Sequence, residues 1–557
     1  MLTRFIYNNA PCFSIALLFF FSLGSVAQEE NSLSISEGVA AVESQASMVE
    51  SVIAKLPGAK LKEVAAIVKE LEAVAGIQAL PLFNALIGGD LFYTKETEKV
   101  VVAGKIENSK KYRIYDALSG IEIGTVEKKA IRKVRTNNKL RSNLRTTIAR
   151  LNLFSGDVNL RRSAVVNMTE KLTAENIALL KKAKELEQTE SVIESIDIAL
   201  AIYQLDEGDN SEKLDAIELL NGDLDPLVRN KLAAVAESEP DKKVSQAASA
   251  ALKSIEGKIK FYGYLETLFF GLSLGSVLLL VAAGLAITFG VMGVINMAHG
   301  EMIMLGAYTT YVIQLLLPNN IALSIFIAIP AAFIVSGLFG VLIERGVIQF
   351  LKGRPLETLL ATFGISLVLQ QLVRTVFSPL NRQVATPEFM SGALEINSVF
   401  SITYNRLYIL IFALLVFFVL QLILKKTSLG LNVRAVSQNR DMAKAMGIRT
   451  EWVDALTFGL GSGIAGLAGV ALSQITNVGP NLGQAYIIDS FMVVVFGGVG
   501  NLWGTLVGGF SLGVLNKFLE PATGAVLANI IVLVGIILFI QKRPRGLFPQ
   551  KGRAAES

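Results

Sequence analysis

VMGVINMAHGEMIMLGAY, residues 291–308, decides the reading of this chain. It sets the only histidine of the sequence, His299, and a carboxylate, Glu301, inside an apolar run. Between positions 267 and 343, Glu301 is the one Asp, Glu, Lys or Arg. An ionisable side chain at membrane depth is costly, so it normally faces protein or a water path rather than lipid. Asn296, His299 and Glu301 interrupting one hydrophobic stretch predict a broken helix in a membrane protein that handles a solute.

The surrounding chain fits that setting. Its 557 residues are 52% hydrophobic, too apolar for a soluble protein, and the excess is uneven. Residues 28–258 are mixed and charged, whereas 262–541 fall into nearly charge-free blocks. This predicts a soluble N-terminal region followed by a membrane region. Residues 1–27 read as an export signal: Arg4, a short apolar core at 13–23, and Ser25-Val26-Ala27 as a small-x-small cleavage site. The core is short for a true span, which needs about 20 residues. The single cysteine, Cys12, lies in that signal, so the mature chain is expected to hold no disulfide and no thiolate site.

Runs at 267–291, 302–317, 321–343, 358–376, 407–424, 455–475, 490–516 and 523–541, uncharged but for Arg374, mark the expected spans. The 425–449 loop carries Lys425, Lys426, Arg434, Arg440, Lys444 and Arg449, and residues 542–557 form a basic tail. Basic short loops stay cytoplasmic, which explains the basic balance without nucleic acid. Counting five spans back from that loop puts residue 262 outside, where the export signal independently puts 28–258. Re-entry by 523–541 then requires an even number of crossings between 476 and 523. Two short or re-entrant segments are expected within 490–516, broken near Gly497-Gly498-Val499-Gly500-Asn501, for eight or nine segments in all. Gly271/Gly275, Gly459/Gly463, Gly500/Gly504 and Gly504/Gly508 have the spacing of close helix contacts.

Outside the membrane, residues 33–87 have helical periodicity, 90–127 read as a small β-meander, and 157–256 return to helix. Asp225-Pro226 and Glu239-Pro240-Asp241 mark helix starts, and Asp157 with Arg161 echoes them. Short HEAT-like repeats and an ordinary helical bundle both fit. No metal cluster, nucleophile–histidine pair or phosphate loop is present in this region, so docking suits it better than catalysis. The fold class expected is mainly α: a polytopic membrane bundle preceded by an α-rich soluble domain with a small β-meander.

The basic loop contains Gly430-Leu431-Asn432-Val433-Arg434-Ala435-Val436 and Asn439-Arg440-Asp441-Met442-Ala443-Lys444-Ala445-Met446-Gly447, with a short helix from about Asp441 ended by Gly447. It resembles the coupling loop of ATP-binding-cassette importer permeases. Val294-Ile295-Asn296-Met297-Ala298-His299-Gly300-Glu301 resembles the signature of the branched-chain amino acid permease family, which more often has Phe at the place of Met297. The resemblance covers roughly residues 262–548. Gln474 through Phe491 and Lys517-Phe518-Leu519-Glu520-Pro521 resemble the urea importer permeases within that family, as does the long N-terminal region.

The resemblance implies an importer permease of a bacterial inner membrane, embedded in lipid, with urea as cargo for nitrogen uptake. Its implied partners are ATPase subunits, a second related permease and a periplasmic solute-binding protein. The N-terminal region would be periplasmic and the C-terminus cytoplasmic. No Gly-x-x-x-x-Gly-Lys-Ser/Thr loop occurs, so the chain is expected to carry no cofactor and to leave ATP to partner subunits. Arg434, Asn439, Arg440, Ala445 and Gly447 are the expected coupling residues, with both arginines offered to acidic groups of the ATPase. Urea offers N–H donors and a carbonyl acceptor, so its path needs neutral or acidic polar partners. Asn296, His299, Glu301, Gln474, Asn477, Asp489 and Ser490 are the candidates near span ends. Each also has a bland role, Asn296 and His299 as caps and Glu301 as a partner of His299 or of backbone N–H groups. Amino acids or short amides are the alternative cargo. A stand-alone urea channel or carrier fits less well because it would not need the basic loop, and a sensor because no cytoplasmic output domain is read in the sequence.

Overall fold

The computed structural model describes residues 47–106, 111–169 and 171–548. The expected export signal, the first part of the 33–87 helical stretch and the end of the basic tail lie outside these residues. Two compact units emerge, one of residues up to 221 plus 230–251, the other of 222–229 plus 252 onward.

In the first unit, α1 (Leu61–Ala75) and α2 (Leu80–Gly88) put Val64, Leu71, Leu82 and Phe83 into a core shared with Leu91, Val100 and Leu144. Gly89, at φ +79°, ends α2 in the left-handed region where a side chain is strained. The expected meander follows as β1 (Leu91–Thr94), β2 (Val100–Lys105), β3 (Lys111–Asp116) and β4 (Glu122–Glu127). A fifth strand, β5 (Ile131–Lys133), pairs with β1, giving the antiparallel order β4-β3-β2-β1-β5. The turn at Leu118-Ser119-Gly120 is held by Asp116, whose carboxylate accepts from both Leu118 and Ser119 amides.

Helices α3 (Asn138–Asn152), α4 (Val158–Thr169), α5 (Ala174–Leu186), α6 (Glu190–Glu207), α7 (Asn210–Leu220) and α8 (Pro226–Ser238) complete this unit's helical part. The Asp residues that echo one another in the sequence are helix caps. Asp157, Asp225 and Asp241 each accept from the backbone N–H two residues on, at 2.7–2.8 Å. Arg161 of α4 makes a two-pronged pair with Glu187, its Nε 2.7 Å from Oε2 and its Nη2 3.0 Å from Oε1.

The second unit is a helical bundle: α9 (Lys242–Met292), α10 (His299–Leu316), α11 (Ile321–Gly346), α12 (Pro355–Phe377), α13 (Tyr404–Lys426), α14 (Ser428–Gln438), α15 (Arg440–Ala445), α16 (Thr450–Ser473), α17 (Gln484–Gly497), α18 (Leu502–Thr523) and α19 (Ala525–Lys542). Eight helices of the described residues are long and apolar enough to cross a membrane. Seven are α9, α11, α12, α13, α16, α18 and α19; the eighth, Leu61–Gly88, is the α1–α2 stretch, which forms the first unit's core. Leu356, Leu360, Val368 and Val526 are exposed apolar side chains on the bundle exterior, the pattern of a lipid-facing surface.

α16 is the axis of the bundle, buried along nearly its whole length. Its close neighbours are admitted by glycine. A Cβ on Gly306 of α10 would overlap the Gly466 backbone, its Cα 2.6 Å away, and one on Gly463 would meet Phe333 of α11 at 2.7 Å. Gly271 and Gly275 likewise face α18. The expected Gly500/Gly504 face does not form: Gly500 lies in the turn before α18, at φ +75°, and packs against Gly290.

Candidate functional site

Two interruptions set the geometry. α9 ends at Met292, and Val291 packs with Val433 and Val436 of the basic loop segment. That fixes the loop end of the bundle. Gly293 turns the chain at φ +65°, and residues 294–298 run back along α9 without helix. α10 then starts at His299, whose Nε2 lies 3.0 Å from the Val281 carbonyl. A carbonyl only accepts, so Nε2 carries the proton. Val281 is eleven residues before the end of α9, about 16 Å at helical rise, so α10 begins near mid-depth.

The second interruption mirrors the first. α16 starts at the loop end and finishes at Ser473 at the opposite end. Residues 474–483 return without long helix, and Gly483 abuts Gly300, where a Cβ on Gly300 would sit 2.9 Å from the Gly483 carbonyl oxygen. From there α17 runs 14 residues back to the loop end, where Gly498 meets Phe548. The expected break at residues 498–501 is present, but the segment begins at Gln484, before Asp489, rather than at 490. Two helices of opposite direction therefore start at mid-depth against each other. Helix N-termini carry unsatisfied N–H groups and partial positive charge, and discontinuous helices of this kind hold polar solutes in transporters.

Around this meeting point the polar side chains are buried. Asn296 accepts from Ala298 N at 3.0 Å, a local cap as expected. Glu301, in the first turn of α10, is 1% exposed. Its Oε1 accepts from Ser366 Oγ at 2.8 Å and Gln370 Nε2 at 2.7 Å, both on α12. It pairs with neither His299 nor a backbone N–H group, because α12 brings its own donors closer. Met297 N donates to Thr362 Oγ1 of the same helix at 3.1 Å. Glu301 Oε2, His299 Nδ1, Asn296 Nδ2 and Tyr308 OH have no hydrogen-bond partner among the described residues.

The remaining path candidates are dispersed. Gln474 is buried at the end of α16 and donates to Ser473 Oγ at 3.1 Å. Asn477 is exposed and lines a cavity of about 730 Å³ at the end opposite the loop, together with Arg374, Asn381, Asn481 and Tyr486. Asp489 is half-buried on α17, and Ser490 donates to the Tyr486 carbonyl at 2.6 Å. The structure thus gathers Asn296, His299 and Glu301, and leaves the other four elsewhere.

Sequence reasoning passed over α12. Thr358, Thr362, Ser366 and Gln370 recur every fourth residue and all are buried, while Leu360, Leu367, Val368 and Val376 between them are exposed. Polar groups inward and apolar groups outward is the reverse of a soluble helix. The period of four in residues 358–374 was the available signal, but uncharged polar residues do not interrupt a charge-free run.

The basic loop forms α14 and α15. Asn439 caps α15, its Oδ1 accepting from Met442 N at 3.0 Å, and Gly447 at φ +87° follows its end. The two arginines bond within the chain while keeping surface exposed to solvent. Arg434 donates to the Leu424 carbonyl, and Arg440 grips Asp454 with both terminal nitrogens, at 2.6 and 3.0 Å. Asp454, in the first turn of α16, is fully buried and also takes Lys352 Nζ at 2.7 Å. Lys352 lies 3.4 Å from the equally buried Glu344 at the end of α11. One charge network therefore ties α15 to α16 and α11. What α15 and the residue after it leave exposed is Asp441, Met442, Lys444, Ala445 and Met446.

Comparison with known proteins places this geometry. The family described as branched-chain amino acid transport system / permease component matches residues 267–541. The high-affinity branched-chain amino acid transport system permease protein BraD of Pseudomonas aeruginosa is 32% identical over 299 residues, 52% of this chain and 96% of that protein. LivH of Escherichia coli K12, of the same description, is 29% identical over 298 residues, with the same shares covered. A probable branched-chain amino acid transport permease protein LivH of Methanocaldococcus jannaschii is 26% identical over 284 residues, 49% of this chain and 88% of that protein. No solved structure matches the chain.

Proposed function

The chain belongs to the family of branched-chain amino acid transport permease components, and from that premise we propose that it is the permease subunit of an ATP-binding-cassette importer whose cargo is urea. The observation that carries this reading is the meeting of two oppositely directed helix starts at mid-depth beside a buried carboxylate. Such a site suits a small solute held by backbone N–H groups and a few side chains.

The chemistry of the site supports a neutral cargo. Glu301 keeps one carboxylate oxygen unpaired among the described residues. An N–H-rich diamide can donate to it. The resemblance of residues 474–491 and 517–521 to urea importer permeases supports the same cargo. The relatives' names favour a second reading, branched-chain amino acids, for which the apolar walls of the bundle suffice.

Energy enters from ATPase partners, which a chain with no phosphate loop needs. α15 offers Met442 and Met446, flexible apolar side chains that fit an irregular groove, as its docking face. Motion of α15 passes through Arg440 and Asp454 to α16, and through Lys352 and Glu344 to α11. Arg440 is thereby a strut of this path, and its exposed edge, with the exposed Arg434, is offered to acidic groups of the ATPase. The complex sits in a bacterial inner membrane with the basic loop cytoplasmic and residues 28–258 periplasmic, and a second permease and a solute-binding protein complete it. Uptake of radiolabelled urea at micromolar concentration, in cells with and without this gene and with excess leucine, tests the cargo. Loss of urea uptake on deletion, with no leucine competition, is expected; loss of leucine uptake alone overturns urea.

A further inference from the structure

We infer that the polar cavity at the end opposite the basic loop is an outer binding site for the solute, fitted to a small neutral molecule that carries amide N–H and carbonyl groups, and that Asp489 is the next group to receive it. This rests on the proposed importer reading and names the residues and ligand chemistry of its outer end.

The cavity, of about 730 Å³, lies between the segment after α12 and the return segment that leads into α17. The two are clasped by a backbone pair: Arg382 N donates to the Val478 carbonyl at 2.7 Å, and Val478 N to the Arg382 carbonyl at 2.8 Å. Arg374 Nη2 donates to Asn481 Oδ1 at 2.8 Å. Asn381 rests over Gly479, where a Cβ would collide with its Oδ1. These contacts fix the walls. Asn381, Asn477 and Tyr486 also line the cavity, and no hydrogen bond reaches their side chains among the described residues.

The chemistry of the lining selects the ligand. Arg374 is its one charged group, and no carboxylate lines it. A zwitterion held there leaves its ammonium group without a counter-charge. A carboxamide presents a carbonyl acceptor beside N–H donors. Urea presents the same two groups, so each free asparagine can pair with it through two hydrogen bonds, and Arg374 adds donors for its carbonyl oxygen. Ala485 and Tyr486 carry the lining into the first turn of α17, and Asp489 follows them on the same face, one turn further in. Asp489 is half-buried, and no hydrogen bond or ion pair reaches it among the described residues. A carboxylate at this depth is costly toward lipid, so it serves a water path or a partner. A solute N–H group leaving the cavity finds in it a charge-assisted acceptor.

The chain suits a direct test because its only cysteine, Cys12, is easily replaced. In the complex of permeases and ATPases with Cys12→Ser, single cysteines are placed as Asn381→Cys, Asn477→Cys and, at an exposed site outside the cavity, Gln383→Cys. The binding protein is left out, since its docking would itself shield the cavity. Labelling by a water-soluble methanethiosulfonate is read as the mass shift of this chain. The expected result is labelling at all three positions, slowed several-fold by urea at 381 and 477 and unslowed at 383. Labelling at 381 and 477 that urea does not slow, in variants that take up urea once the binding protein is added, overturns the cavity site and leaves the cargo reading intact. Protection by leucine and not by urea overturns the neutral-amide chemistry together with that reading. Where a cysteine variant fails to assemble, Asn477→Ala is assayed with the binding protein present: KM for urea raised several-fold at unchanged ATP hydrolysis is expected, and an unchanged KM overturns the site. Added to Asn477→Cys, Asp489→Asn should leave protection at 477 in place and lower urea uptake several-fold. Normal uptake removes Asp489 from the route, and loss of assembly with the second permease assigns it to that interface instead.

Discussion

Removing Arg440 should destabilise the bundle more than removing Arg440 and Asp454 together. Asp454 is fully buried and receives three charged hydrogen bonds, two from Arg440 at 2.6 and 3.0 Å and one from Lys352 at 2.7 Å. Truncating one partner of a buried ion pair costs about 3–5 kcal/mol, because the other charge stays desolvated. Lys352 remains in the Arg440→Ala variant, so the expected loss is about 3 kcal/mol, the lower end of that range. In the double variant Arg440→Ala/Asp454→Ala no orphan anion is left, and Lys352 keeps Glu344 at 3.4 Å. Its loss should be about 1–2 kcal/mol, smaller than that of Arg440→Ala alone, so the double-mutant cycle is non-additive. The assay is thermal unfolding of the purified full chain in detergent for wild type, both single variants and the double. The predicted order of midpoints is wild type, then double, then Arg440→Ala. High salt should change this order little, because a buried pair is poorly screened. Additive losses, with the double variant least stable, would refute the network as a coupled unit.

Three further outcomes follow from single features. Gly306→Ala forces a Cβ onto the Gly466 backbone, so α10 and α16 must separate at a cost of about 1–3 kcal/mol or more, whereas Gly535→Ala, with open space, should be neutral in folded yield by gel filtration. Gly447→Val places a branched residue at φ +87° with nothing nearby to clash, a strain of about 1–2 kcal/mol that leaves the bundle folded; uptake should fall while ATP hydrolysis by the complex persists, and normal uptake would remove α15 from coupling. In the first unit the hydrogen bonds from Arg161 hold the Glu187 carboxyl at about 2, against its ordinary 4.5, overcoming the opposing effect of burial. A depressed carboxyl stabilises fully above its ordinary value and loses that contribution as pH falls toward 2, so pepsin cleavage of the full chain within residues 158–207 should rise between pH 4.5 and 2, and Arg161→Ala should weaken that dependence.

Much of the bundle was legible because lipid imposes a simple rule on charge. The runs foretold the end of α9 and both ends of α10 through α13, α16 and α19 within about five residues, and Gly497-Gly498-Val499-Gly500 foretold the break before α18. The same rule misplaced the start of α17. Asp489 ends an uncharged run, yet it sits half-buried inside that helix, because a carboxylate in a transporter interior is tolerated where lipid would exclude it. Residues 258–262 lie within one helix, since no proline between Lys242 and Met292 stops it. Glu301 stood out in the sequence as an isolated charge. Its partners Ser366 and Gln370, 65 and 69 positions away, did not, because contacts across helices leave no local trace. The Arg440–Asp454 clasp was hidden for the same reason.

The central claim is tested most directly by ATP-driven accumulation in proteoliposomes that hold this chain with its ATPase, second permease and binding-protein partners. The prediction is that labelled urea accumulates only with ATP, that leucine does not, and that Glu301→Gln lowers the urea rate while the complex still assembles. Accumulation of leucine without urea, or of urea without ATP, contradicts it.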